Sequence, residues 1–418
     1  MTKEMTQPPY AATDEADRVA GSGPAPEHLL PAGTELKPVT ISIVVPALNE
    51  ALTVGEFVAW CREGLAGVGV PGQILIVDSS TDQTPQIALA AGAEVLRVPK
   101  RGLGQAYIDA IPYIRGEYVI MGDADLTYDF RQMGPFYEKF KQGSEFVMGS
   151  RFAGYIEPQS MPALHQYFGT PLTTMILNAI YGTKFTDIHC GMRGLSMEAL
   201  RKIRLETPGW EYASEMIVKA VRLKLRISEV PIRFYKDREG RLSHHRRSGF
   251  LSPWKAGWTN LRAMFTYSPD ILFVRPGLVL FLFGFGGSTV LAPGPIPTPW
   301  FIFTLNSLLF SIALAVLGLS LVTGGLVVKL YYNFDPPFAV RFFQRWTYNR
   351  LMTLVAVLMT LGLLPTLYLV LTWVAAGFAL FKFYFVNVYG LELIMLGAQL
   401  FSFTLMIEAL KRFRYNAS

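Results

Sequence analysis

The chain has 418 residues, enough for two or more domains, and 51% of them are hydrophobic, with a mean hydropathy of +0.30. The apolar residues gather after Asp270, which excludes a single soluble globule, and the two cysteines, Cys61 and Cys190, exclude a disulfide framework or a cysteine-built zinc site. A net charge of +6 beside long apolar segments points to anionic lipid and anionic substrates, with no nucleic acid among the expected partners.

Residues 1–38 are polar, rich in Pro, Ala and Glu, and carry no apolar run. No secretory leader is expected there, and the stretch is read as a disordered tail. From 39 to 250 strand and helix signals alternate. The runs Ile41 to Val45, Gln73 to Val77, Glu94 to Val98, Tyr118 to Met121 and Phe146 to Met148 are separated by helix-length segments. That alternation predicts an α/β domain with a mostly parallel sheet and ligands at the carboxyl ends of its strands. The polar clusters fall at those ends: Asn49 and Glu50, then Asp78 and Asp82, then Asp123 and Asp125.

The stretch Glu117 to Asp129 is the most informative. Asp123 and Asp125 are two apart after a buried run, so an extended backbone sends both carboxylates to one side. Adjacent carboxylates repel unless a cation lies between them, which suits a hard divalent ion carrying a diphosphate. Further along, Thr170-Pro171 has the chemistry of a helix N-cap and first turn, followed by Leu172, Met175, Ile176, Ala179 and Ile180 at helical spacing. Two readings stay open for that helix: packed on the sheet, or lying in the membrane plane. A second amphipathic segment, 251–270, carries Trp254, Trp258, Leu261 and Phe265 with Lys255 and Arg262, and is read as interfacial.

Residues 271–418 offer four spans, about 276–292, 302–328, 351–372 and 388–409, each near the roughly 20 residues that a bilayer requires. Glycines interrupt the first and Pro365 the third, so their limits are soft. The 293–300 connection has no charge, whereas 329–350 carries Lys329, Arg341, Arg345 and Arg350, and the tail carries Lys411, Arg412 and Arg414. The positive-inside rule then puts the N-terminal domain and both termini on the cytoplasmic side of a plasma membrane of prokaryotic type.

The ordered set Val-Pro-Ala-Leu-Asn-Glu (45–50), Val-Asp-Ser-Ser-Thr-Asp-Gln-Thr (77–84), Arg-Gly-Leu-Gly-Gln-Ala (101–106) and Gly-Asp-Ala-Asp (122–125) resembles the family 2 glycosyltransferases of GT-A fold. Gly-Ser-Arg-Phe (149–152), Thr-Asp-Ile-His-Cys-Gly-Met-Arg-Gly (186–194) and Glu-Tyr-Ala-Ser-Glu-Met (211–216) resemble its polyprenyl-phosphate branch, the dolichyl-phosphate mannose and glucose synthases. The resemblance implies a GT-A catalytic domain followed by an α-helical transmembrane domain of about four spans.

It also implies roles. Pro46, Ala47, Asn49 and Glu50 would surround the nucleoside, Asp78 would read the base, and Arg101, Gly102 and Gly104 would contact the diphosphate. Asp123 would face the donor. Asp125, with Asp123 and Thr127, would hold Mg²⁺ or Mn²⁺. For Asp82, helix capping is an equal alternative. Arg151, Arg193 and His165 would bind the acceptor phosphate, and Ser243 and His244, in a basic segment running from 233 to 247, would close over it.

A lipid phosphate is already largely dianionic near neutral pH, its second pKa being about 6, so no dedicated base is required. The implied reaction is inverting transfer of a hexose or N-acetylhexosamine, first choice glucose from UDP-glucose with UDP favoured over GDP, to polyprenyl phosphate. Rival readings are a processive polysaccharide synthase and an inactive GT-A membrane protein acting in sugar-lipid translocation. A homo-oligomer is compatible with either.

Overall fold

The computed structural model describes residues 25–34, 36–238, 240, 258, 262, 265–332, 336–379 and 384–415. The chain divides into two compact units, one ending at Tyr267 and one running on from Ser268.

The first unit is built on an eight-stranded sheet: β1 (Glu27–Leu29), β2 (Val39–Ala47), β3 (Gly72–Asp78), β4 (Glu94–Arg97), β5 (Gly116–Met121), β6 (Phe146–Ile156), β7 (Arg193–Ser196) and β8 (Ile227–Phe234). Their order is β1-β4-β3-β2-β5-β7-β6-β8. Strands β4, β3, β2 and β5 are mutually parallel, and β6 and β8 are parallel to each other. Strand β7 runs antiparallel to both its neighbours, as β1 does to β4. Helices α1 (Val54–Val68), α2 (Thr84–Ala90), α3 (Leu103–Ala110), α4 (Gly134–Lys141), α5 (Thr170–Tyr181), α6 (Met197–Ile203) and α7 (Tyr212–Arg222) occur in the connections.

The central strand shows why the pattern folds this way. Ile41, Ile43, Val44 and Val45 of β2 are fully buried, because a parallel strand covered on both faces is apolar on both. Phe57 of α1 meets Phe130 edge to face at 4.9 Å, within a cluster that also holds Phe136, Phe140 and Val147.

The expected tail ends earlier than residue 38. Glu27–Leu29 pairs with β4, and His28 Nε2 lies 3.1 Å from Glu94 Oε2. A three-residue edge strand has too little periodicity to be read from composition.

The second unit contains four helices long and apolar enough to cross a membrane: Asp270–Leu291, Leu305–Tyr332, Tyr348–Ala375 and Phe385–Phe413. The first begins with a π turn, Asp270–Val274, and Pro365 lies inside the third without ending it. Of the glycines read as interruptions of the first span, Gly277 and Gly284 are helix contacts. A Cβ at Gly284 would fall on the Ala315 backbone and one at Gly318 on that of Phe281, so the first two helices approach as closely as small residues permit. Lys329 and Asp270 form a 2.9 Å ion pair at one end of this unit. The intervening helix Pro336–Arg345 packs Phe338, Phe342 and Phe343 against Leu330, Leu351 and Phe403.

Candidate active site

Two loops leave the carboxyl ends of the adjacent strands β2 and β3 and are laced together. Asn49 sits in the left-handed region at φ 59°. Its N–H donates to Ser80 Oγ at 2.7 Å, and its Oδ1 accepts the Thr81 N–H at 2.9 Å. The Glu50 N–H donates to Thr84 Oγ1, and Ala47 O accepts from the Ser79 N–H. Asp82 takes the Thr84 N–H and hydroxyl on one oxygen and the Ala51 N–H on the other, which is capping chemistry.

Asp78 ends β3 and is fully buried. Its Oδ2 accepts from Arg97 at 2.5 Å and from the Ser80 N–H at 3.3 Å. Among the described residues its Oδ1 has no hydrogen-bond partner. Burial pushes this carboxyl up, with Ser80 and Arg97 pulling against it. An orphaned acceptor in a buried position fits the imide N–H of a nucleobase. Arg97, which had no role in the sequence reading, stands directly opposite Asp78 in the β3–β4 register. A basic residue at the last position of the neighbouring strand was the signal.

The 101–105 turn enters α3 beneath a strap formed by Arg204 to Gly209. Gly102 has φ 124°, a value that side chains rarely adopt. A Cβ there would fall on the Pro208 carbonyl, and one at Gly104 on that of Thr207. The Gln105 N–H donates to Pro208 O at 3.0 Å, and Arg101 pairs with Asp109 at 2.8 Å.

Beyond β5, Ala124 and Leu126 turn into the core while Asp123 and Asp125 are half-buried, so both carboxylates face away from it. Asp125 Oδ1 accepts the Thr127 N–H at 3.0 Å and its hydroxyl at 2.6 Å. The Thr127 hydroxyl therefore orients Asp125. Gly191 keeps the space beside Asp123 open, since a Cβ there would crowd Asp123 Oδ2 and the Tyr128 ring. No cluster of three or more His, Cys, Asp or Glu that could hold a metal occurs among the described residues. Two carboxylates suit an ion such as Mg²⁺, which takes one or two from protein and the rest from water and substrate phosphates.

On the other side of the site, Arg151 of β6 is buried, and its guanidinium meets Asp187 through Nε at 2.6 Å and through a second nitrogen at 2.9 Å. Burial works against both charges, yet the pairing holds Asp187 below the usual carboxylate range and Arg151 above its ordinary value. Asp187 lies in a quoted motif but had no role in the sequence reading. A buried arginine needing a counter-charge was the available clue. Arg193, 1% exposed, donates to the carbonyls of Cys190 at 2.8 Å, Ala213 at 2.7 Å and Ile188 at 3.2 Å. Its donors thus hold the 188–190 loop and the start of α7 together.

Thr170 is not a helix cap. A π turn, His165–Gly169, already leads into α5, so Thr170 is interior. On α5, Thr170, Thr173, Thr174 and Leu177 are buried and Met175 is exposed, and Leu164, Tyr167 and Phe168 of the segment before it are exposed. Thr173 Oγ1 is 2.8 Å from His189 Nε2. His165 is half-buried and close enough to His189 to act on it electrostatically. Ser243 and His244, with most of 239–247 and 251–264, lie outside the described residues.

His189 supplies a pH test. Burial pushes it from 6.5 down to about 4, Asp187 opposing and Arg151, Arg193 and His165 adding to the fall. Between those values the unfolded chain binds a proton that the folded chain does not, so stability falls as pH drops through the window. At about 1.4 kcal/mol per unit the loss reaches roughly 3 kcal/mol. His189→Asn is expected to remove that part of the slope in melts from pH 6.5 to 4.5; an unchanged slope contradicts the assignment.

A family model described as Glycosyl transferase family 2 matches residues 42–204. The chain is 34% identical over 386 residues to the low-salt glycan biosynthesis hexosyltransferase Agl6 of Haloferax volcanii, covering 90% of this chain and 89% of that protein. It is 27% identical to a dolichyl-phosphate hexose transferase of the same organism, over 48% of this chain and 84% of that one. Among solved structures it is similar to glucosyl-3-phosphoglycerate synthase from Mycobacterium tuberculosis in complex with Mn²⁺, UDP and glucosyl-3-phosphoglycerate. That match has 20% identity and a TM-score of 0.43, covering 55% of this chain and 80% of that one. Given a relative matched along nearly its whole length and a family model over the residues that carry the site, this chain belongs to glycosyltransferase family 2.

Proposed function

We propose that this chain is a membrane-bound enzyme that moves a hexose or N-acetylhexosamine, first choice glucose from UDP-glucose, onto the phosphate of a polyprenyl phosphate. The observation that carries the acceptor is helix α5. Met175 on its outer side, with Leu164, Tyr167 and Phe168 of the segment that leads into it, exposes apolar surface suited to a lipid, and its buried side joins, through Thr173 and His189, the loop that holds Asp187 against Arg151. A lipid phosphate and its chain would thus meet cation and apolar surface on neighbouring elements. The two Haloferax volcanii relatives, named for hexosyl transfer in glycan biosynthesis and for dolichyl-phosphate hexose transfer, support the same substrate class.

On the donor side, Asp78 Oδ1 would accept the base imide N–H, with Arg97 holding the other oxygen. The 101–105 turn would receive the diphosphate on backbone N–H groups entering α3. Asp123 and Asp125 would hold Mg²⁺ or Mn²⁺, which when bound offsets negative charge on the departing nucleotide. The ionised acceptor phosphate attacks the anomeric carbon in line, so an α-linked donor gives a β-linked product without a protein base.

The four helices long and apolar enough to cross a membrane would anchor this activity there, and Lys329, Arg341, Arg345, Arg350 and Lys411 support a cytoplasmic catalytic side under the positive-inside rule. The processive reading loses ground. A processive synthase would need a Gln-x-x-Arg-Trp acceptor motif, and Gln344-Arg345-Trp346, at the end of the short helix between two apolar helices, is not that pattern.

Purified protein given radiolabelled UDP-glucose, then a panel including UDP-N-acetylglucosamine and GDP-mannose, is expected to form one lipid-linked monosaccharide with polyprenyl phosphate and none with polyprenol. A long polymer, or equal use of the uncharged alcohol, overturns the proposal.

A further inference from the structure

Glu215 and Lys219 lie one turn apart on α7, and both are buried, at 0% and 4% exposure. On a helix surface such a pair contributes a few tenths of a kcal/mol. Out of water the same charges are costly unless every oxygen and proton finds a partner.

Here the partners come almost entirely from one strap. Glu215 Oε1 accepts the Glu206 N–H at 2.9 Å, and Oε2 accepts the Thr207 N–H at 2.9 Å. Lys219 Nζ lies 2.5 Å from Glu215 Oε1, donates to Arg204 O at 2.8 Å and is 3.4 Å from Glu206 Oε2. The Tyr267 ring lies 5.6 Å from Nζ. The pair therefore fixes the Glu206 and Thr207 N–H groups and the Arg204 carbonyl, where Arg204 already sits at φ 48°. The opposite edge of that strap is the ceiling of the donor turn. Pro208 O takes the Gln105 N–H, and the carbonyls of Thr207 and Pro208 stand where side chains at Gly104 and Gly102 would be.

We propose that Glu215, locked by Lys219, is a positioning residue for the donor diphosphate: it sets the strap 204–209, and the strap sets the 101–105 turn. The inference rests on the reading of that turn as the diphosphate contact. It assigns a role to a buried ion pair that touches neither substrate nor metal.

Calorimetry on the full-length protein with Mn²⁺, using UDP and GDP as probes and UMP as control, tests it. In Glu215→Gln the affinity for the nucleoside diphosphate that wild type binds is expected to fall at least tenfold. UMP affinity should change less than twofold. The donor KM rises with it, the polyprenyl phosphate KM stays within twofold, and Lys219→Arg retains most of the affinity. Equal weakening of UMP and UDP would mean general loosening and would overturn the proposal, as would unchanged UDP affinity.

Should Glu215→Gln fail to fold, hydrogen exchange on wild type decides. The Glu206 and Thr207 amides are expected to be protected, and UDP should slow exchange across 103–106 and 204–209 together. Fast exchange of those two amides overturns the brace. Wild type that binds neither UDP nor GDP would instead remove the donor-site reading itself, and the brace with it.

Discussion

Asp125→Ala is expected to abolish glycosyl transfer, lowering kcat by about 10³-fold or more while the protein remains folded. Asp125 is half-buried and accepts hydrogen bonds from the N–H and hydroxyl of Thr127. Losing them costs about 1 kcal/mol, the scale of a removed cap. Catalysis loses more, because one of the two carboxylates proposed to hold the divalent ion is gone and the ion would have to stay on Asp123. Asp125→Asn keeps the shape and an acceptor for Thr127 but removes the charge, so it should be nearly as inactive. Product formation, melting temperature and Mn²⁺ titration separate the effects. Activity near wild type in either variant would remove the metal assignment.

Asp187→Ala is expected to have the largest effect on stability, roughly 3–5 kcal/mol, because it leaves the buried Arg151 guanidinium without its counter-charge. That is a large share of what usually holds a domain folded. The paired variant Arg151→Met with Asp187→Ala should recover most of the loss, since neither charge then remains buried. It should still use polyprenyl phosphate poorly, with acceptor KM raised at least tenfold and UDP affinity unchanged. Recovery of both properties would reduce Arg151 to a structural residue. Failure to recover stability would show that the pair does not dominate this part of the core.

The parallel half of the sheet was legible because strands covered on both faces need mostly apolar runs, and 41–45, 73–77 and 118–121 have them. In the other half only the start of β6, Phe146 to Met148, was read. Strand β7 is Arg-Gly-Leu-Ser, four residues with no pattern, held by neighbours on both sides. Strand β8 contains Pro231, which argues against a strand until its place at the sheet edge is known.

The acidic motif after a buried strand could be read from spacing alone, but the extended backbone expected for it is a turn in the structure, with Leu126 at φ 64°. What spacing could not show is partnership. Arg97 joins Asp78 only through strand register, and Asp187 reaches Arg151 across 36 residues of sequence. Glu215 acts on a loop nine residues away through hydrogen bonds that no period encodes. In the apolar unit, glycine and proline mark helix ends by propensity, but neighbouring helices overrule them at Gly284, Gly318 and Pro365.

The placement of β7 between β5 and β6 has a consequence for biosynthesis. Residues 193–196 must slot between strands made some 40 to 80 residues earlier, the kind of long-range pairing that slows folding. The last strand ends at Phe234, and the first membrane-length helix starts only at Asp270. A ribosome working from the N-terminus therefore releases every piece of the sheet before the insertion machinery meets its first greasy segment. A truncated nascent chain stalled shortly after Tyr267 should resist protease as the finished sheet does.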